Sequence, residues 1–210
     1  MPHLHADSSE TRSLLDDAQA GDRQALDRLF RRHRHYLTRV VDLRLDPRLR
    51  SRVDPSDVVQ ETQLEAARRV SQYLDDRALP FRLWLRQIAI DRLLMLHRKH
   101  LQSRRRTVTR DLPLPDRSSV QLAHQLIAAG PSPIEQLAAR ELARRVREAL
   151  GRLAEQDRDV LVLRNFEGLS LQEIACVLDI DPAAARKRHG RALLRLRKEL
   201  IEDGLRESEL

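Results

Sequence analysis

The stretch GLSLQEIACVLDIDPAAARKRHGRALLRLR, residues 168 to 197, leaves the chain few conformational options there. Ser170 followed three residues later by Glu173 is the reciprocal pair that closes a helix start, and Leu169 just outside it can staple onto Ile174. This first helix should bury Leu171, Ile174, Ala175 and Leu178. Only Asp179 and Ile180 separate its end from Asp181, a second capping residue, and from Pro182, whose fixed φ suits the first helical position. Two helices joined so closely must cross steeply, which makes the stretch a helix-turn-helix. On a wheel of about 100° per residue, Ala185, His189, Ala192, Leu193, Leu196 and Leu200 gather as the core face of the second helix. Ala184, Lys187, Arg188, Arg191 and Arg195 form a separate stripe, with Arg186 beside it.

Seven Lys or Arg and no acid lie between Pro182 and Lys198. A surface helix ordinarily mixes signs to gain pairs four residues apart, so a stripe of one sign points to an anionic partner. Arg186, Lys187, Arg188, Arg191 and Arg195 are therefore the candidate DNA contacts, through bidentate pairing with guanine and through phosphate. A formal net charge of +7 over 210 residues agrees with a polyanionic partner, nucleic acid first.

The rest of the chain reads as helix. Leu, Ala, Arg and Glu abound, with 3% aromatic residues and 6 Gly, and all-α structure is expected. From Leu14 to Leu43 apolar residues recur at helical spacing. A second helix opens at Asp54-Pro55-Ser56-Asp57, with Asp54 as cap and Asp57 at the positive end of the dipole, and runs to about Tyr73. A third follows Pro80, with Phe81, Trp84, Leu85, Ile88, Ala89 and Leu96 as its stripe and core packing as the role of Trp84. Residues 104–133 hold four of the nine prolines and several turn formers, the composition of a linker; its SSVQLAHQLIAAG portion could form a short helix. Helical periodicity resumes at Ile134 and continues through Leu137, Ala138, Leu142, Val146, Leu150 and Leu153, with shorter helices around 157–166, 170–178 and 182–202. The expected architecture is two small helical domains, 14–103 and 134–203, joined by that linker.

The order of parts resembles the extracytoplasmic-function (ECF) sigma factors of bacterial RNA polymerase. DPSDVVQETQLEAARR is similar to that family's VQETF-type helix, FRLWLRQIAIDRL to its F-x-x-WL-x-x-IA helix, and LGRLAEQDRDVLVLRNFEGLSLQEIACVLDIDPAAARKRHGRALLRLR to its C-terminal domain. Asp179 stands where the family has a turn glycine, a position that asks for left-handed geometry. Gln63, Ala67, Asp91 and Met95 also depart from the family pattern. The resemblance implies that Asp57, Val58, Gln60, Glu61 and Thr62 lie on the surface that docks the clamp helices of the largest polymerase subunit. It implies that the Phe81 to His100 helix, through Arg82, Arg86, Gln87, Arg98 and Lys99, and the preceding loop DDRALP engage the minus-10 promoter element. Arg186, Lys187, Arg188, Arg191 and Arg195 would serve the minus-35 element, and an anti-sigma factor is a further conceivable partner.

Other classes fit less well. No phosphate loop, G-x-S-x-G or H-E-x-x-H is found, so neither catalysis nor a cofactor is expected. His33, His35, His97 and His100 lack Cys or carboxylates completing a ligand set, and no metal site is expected. No apolar run approaches the roughly 20 residues of a membrane span. Cys176 alone cannot form an intrachain disulfide and suits core packing in a reducing cytoplasm. Arg92, on the apolar side of its helix, should pair with Asp57 or Glu61. The rival reading is a stand-alone helix-turn-helix regulator acting as a dimer, with a helical protein-interaction module behind it.

Overall fold

The computed structural model describes residues 7–46, 49–101 and 133–204, with side chains for all of these except 100, 101 and 133–140. The regular elements among them are helical, in two compact units divided between Pro113 and Leu114. The expected linker and its SSVQLAHQLIAAG portion lie outside the described residues. Among the described residues, no helix is long and apolar enough to cross a membrane.

The first unit contains α1 (Ser9–Gln19), α2 (Arg23–Arg44), α3 (Pro55–Asp76) and α4 (Phe81–Leu101). The single periodic run expected from Leu14 is thus two helices, and the first begins earlier, at Ser9. The break is local chemistry: Gly21 takes φ 99°, and Asp22 caps α2 by accepting from the Gln24 N–H at 2.8 Å. The apolar spacing runs on across this break because both helices bury the same side. Asp54 caps α3 in the same manner, accepting from the Ser56 N–H at 2.7 Å, and Pro55 opens it. That bond holds the Asp54 carboxyl below its ordinary pKa.

Leu15, Ala25, Leu29, Leu37, Val59, Ala66, Phe81, Leu85 and Ala89 are at most 1% exposed and form the centre of this core. Aromatic rings close one end. Tyr73 stacks on Trp84 at 4.5 Å between centroids, and Phe81 meets Tyr73 at 5.5 Å and His33 at 5.3 Å. Burial, and then the nearby charges of Arg32 and Arg82, push the His33 imidazole down to about 4, so it is neutral in the folded protein at pH 7.

The turn between α3 and α4 is held from three directions. Arg77 ends α3 in the left-handed region at φ 43°, and its guanidinium donates to Asp16 Oδ1 at 2.7 Å, Gln19 Oε1 at 2.8 Å and the Leu15 carbonyl at 3.1 Å. Those bonds offset a backbone cost of order 1 kcal/mol. The Tyr73 hydroxyl donates to the Leu79 carbonyl at 2.9 Å. Asp7 accepts from the Phe81 N–H at 3.0 Å, satisfying a donor that the start of α4 leaves open.

The second unit contains α5 (Pro133–Arg152), α6 (Glu155–Leu161), a π-helical turn (Val162–Phe166), α7 (Leu171–Leu178) and α8 (Pro182–Glu202). The helix expected over 157–166 winds wider after Leu161, with the Glu167 N–H reaching back to the Val162 carbonyl at 3.1 Å. This brings Val162, Leu163 and Phe166 into the core together. α8 is the central element, packed by α5, α6 and α7.

Candidate nucleic-acid interface

Each end of the helix-turn-helix is fixed by the chemistry its sequence carries. Ser170 Oγ accepts from the Glu173 N–H at 3.2 Å while Glu173 Oε2 accepts from the Ser170 N–H at 2.8 Å. The turn uses Asp179 at φ 52°, and the Ile180 N–H closes onto the Ala175 carbonyl at 3.0 Å. Asp181 then caps α8 through the Ala183 N–H at 2.7 Å. Ile174 and Ala175 are buried, whereas Leu171 and Leu178 are only half-buried.

Ala185, Ala192, Leu196 and Leu200 hold α8 against the unit. The expected core face is too wide: Leu193, at the edge of the stripe, is 43% exposed among the described residues. His189 is half-buried; burial and the charge of Arg164 lower its pKa, which keeps it neutral at pH 7. Arg186, Lys187 and Arg191 are exposed and Arg188 is half-buried. Among the described residues, no acid lies within ion-pair distance of any of these four. Arg195, expected in the same row, differs. Its guanidinium pairs with Asp157, a carboxylate 8% exposed in the first turn of α6. Lys198 lies 3.7 Å from Glu202. The cations without an acid partner thus fall in the N-terminal half of α8, the half that a helix-turn-helix presents to base edges.

In the first unit the expected docking residues divide between two faces. Asp57, Gln60 and Glu61 are exposed, but Val58 and Thr62 are at most 1% exposed and belong to the core. The Thr62 hydroxyl donates to the Val58 carbonyl at 2.7 Å, so both side chains point inward along one helical row. Arg92 pairs with Glu61, its Nε donating at 2.8 Å. Beside this pair a groove of about 400 Å³ runs between α3 and α4, lined by Glu61, Thr62, Leu64, Glu65, Arg68, Arg69, Ile88, Asp91, Arg92 and Met95. Leu64 and Met95 are 61% and 56% exposed. Leu64 does not stand out in the sequence, and Met95 does so only as a departure from the family pattern; each falls off the buried stripe of its helix.

Along α4, Arg82 and Arg86 are half-buried and share one face, four residues apart; Gln87 and Arg98 are exposed on another, and Lys99 is exposed near the helix end. The Arg82 guanidinium lies 4.7 Å above the Tyr36 ring of α2. His97 Nε2 is 3.6 Å from the buried Asp46 carboxylate, while the side chain of His100 lies outside those described.

Residues 143–196 match the family model described as "Sigma-70, region 4". The RNA polymerase sigma factor CnrH of Cupriavidus metallidurans is 31% identical over 185 residues, 88% of this chain and 91% of its own length. The ECF RNA polymerase sigma factor SigD of Mycobacterium tuberculosis is 30% identical over 204 residues, 97% of this chain and 90% of its own. The solved structure of CnrH in complex with the cytosolic domain of CnrY superposes with a TM-score of 0.51 at 25% identity, covering 93% of this chain and 99% of that one. These likenesses span both helical units, which a stand-alone regulator sharing only the helix-turn-helix does not account for. The chain belongs to the extracytoplasmic-function sigma factors, which bind core RNA polymerase and direct promoter-specific initiation of transcription.

Proposed function

We propose that α8 reads the minus-35 element through Arg186, Lys187, Arg188 and Arg191, and that the exposed row Asp57, Gln60 and Glu61 of α3 docks the clamp helices of the largest polymerase subunit. The observation that carries the first part is the set of four cations without an acid partner among the described residues, on a helix whose start is fixed by a capping residue and a proline. Ala183, Ala184 and Ala185 keep the first turn slim, so its backbone can approach a groove wall closely. Arg195 supports this surface from behind by holding α8 to α6. The Arg92 pairing fixes Glu61 at the mouth of the α3/α4 groove, and exposed Leu64 and Met95 add the apolar contact that a docked helix pair would cover.

α4 and the turn at residues 77–80 engage the minus-10 element, Gln87 and Arg98 from the exposed face and Arg82 and Arg86 from the face toward α2. Residues 104–133 connect the polymerase-docking domain, 14–103 with its α1 extension, to the promoter-reading domain, 134–203. The factor has no catalytic activity of its own and works in the cytoplasm. CnrH has been solved with the cytosolic domain of CnrY, and by analogy this chain takes an anti-sigma partner.

Holoenzyme binding to a promoter fragment, measured against salt, tests the reading. Lys187→Ala or Arg188→Ala lowers the slope of log affinity by about 0.9 for each phosphate no longer neutralised. An unchanged slope together with unchanged promoter choice removes these residues from the interface.

A further inference from the structure

α2 buries Ala25, Leu29, His33, Leu37, Val40 and Val41 on one side. Its other side carries Arg28, Arg31 and Arg34, all exposed, and Arg39, half-buried, with exposed Asp27 as an acid among them. Several other arginines of this unit are matched by acids: Arg32 with Glu10, Arg69 with Glu65, Arg77 with Asp16, Arg92 with Glu61. Among the described residues no acid lies within ion-pair distance of Arg28, Arg31, Arg34 or Arg39. The Arg31 Nε turns back to the Asp27 carbonyl of its own helix, at 3.4 Å. Like charges one turn apart destabilise a helix, and an anionic partner relieves that repulsion.

The face is continuous with the surface assigned to the minus-10 element. Tyr36 flanks it, with Arg39 one turn further along α2, and Tyr36 carries the guanidinium of Arg82 from the first turn of α4. From Arg28 to Arg39 the helix rises about 16 Å, long enough to lie along successive phosphates of one strand of B-DNA. We propose that the Arg28, Arg31, Arg34 and Arg39 face of α2 tracks the sugar-phosphate backbone of promoter DNA beside the minus-10 element. The contact is independent of sequence: it positions the duplex and leaves base reading to α4 and α8. This rests on the assignment of α4 to the minus-10 element.

The experiment uses the full chain assembled with core polymerase, comparing wild type with the triple variant Arg28→Gln, Arg31→Gln, Arg34→Gln. These side chains are exposed, and Trp84 fluorescence verifies that the fold is kept. Promoter affinity is measured across a salt series, on a matched promoter and on one with a mutated minus-10 element. The expected result is a slope lower by about two to three units, from ~0.9 per phosphate. Affinity falls by the same factor on both promoters, and core polymerase binding stays unchanged. An unchanged slope, as an acidic protein occupant would give, overturns the proposal. Weakened polymerase binding does the same, since the face then meets polymerase, and so does a loss confined to the matched promoter. A parallel Gln87→Ala variant tests α4 separately: if discrimination against the mutated minus-10 element survives it, the α4 assignment fails while the slope still judges α2.

Discussion

Arg195→Ala separates an arginine paired within the fold from the neighbours proposed to face DNA. In the folded protein this guanidinium pairs with Asp157, whose carboxylate is 8% exposed, while the Arg195 side chain is 57% exposed. Two unit charges at about 4 Å attract by about 4 kcal/mol at an effective dielectric of 20. Solvent around the arginine screens much of that, and the positive end of α6 partly supports the remaining carboxylate, so removal of the arginine costs about 1–2 kcal/mol. In a unit of this size that lowers the melting temperature by roughly 5–15 °C. The assay has a built-in control. Trp84, Tyr36 and Tyr73 account for every Trp and Tyr of the chain and lie in the first unit, so their fluorescence is silent to the second. Far-UV circular dichroism reports both. Arg195→Ala should shift the second-unit dichroism transition and leave the fluorescence transition in place. Adding Asp157→Asn should then cost less than it does alone, since the buried charge is removed with its partner. The salt slope of promoter binding should stay at the wild-type value. Unchanged melting with a slope lowered by about one unit would refute the reasoning and return Arg195 to the DNA-contacting row.

Two further outcomes follow from buried and open positions. Because His33 is held near 4 when folded and titrates near 6.5 when unfolded, the unfolded chain binds the extra proton between those values. Stability is therefore complete above pH 6.5 and falls as pH drops toward 4, by about 2 kcal/mol at pH 5. Urea midpoints read from Trp84 at pH 7.5 and 5 check this, and His33→Leu should flatten the difference; equal pH dependence in both proteins rules it out. Gly190 lies inside α8, and a methyl group added at its Cα would meet nothing within 4 Å. Gly190→Ala should thus raise second-unit stability by about 0.5–1 kcal/mol, and a lower melting temperature would contradict that.

What the sequence made legible was chemistry acting within a few residues. The caps at Asp54, Ser170 and Asp181 emerge from spacing, because each is closed by groups on one helix turn. The left-handed turn at Asp179 comes from the family resemblance, and the helical wheel gives Arg92 a partner in either Asp57 or Glu61. Helical phase was less informative about width. It placed Leu193 in the core and could not tell that Val58 and Thr62 turn inward while Gln60 and Glu61 turn out, since that depends on where α2 and α4 cover α3. The fate of Arg195 was hidden for the same reason: Asp157 is 38 residues away, and no local pattern announces a partner on another helix. The family motif put forward the expected docking residues as a block, and packing divides that block into surface and core.

Asp7 lies 74 residues before the amide it caps. The first turn of α4 is therefore held by chain far upstream of it, and the Arg77 bonds to α1 add a second tether to the same turn. Cutting the protein back to Leu14, where periodicity alone would start the domain, removes the cap and the first turn of α1 while leaving every residue of the proposed minus-10 surface in the chain. Hydrogen exchange at the Phe81 amide consequently serves as a gauge of how firmly the N-terminal segment is seated. Fusions or cuts at that end should register there first, as faster exchange in the helix proposed to engage the minus-10 element.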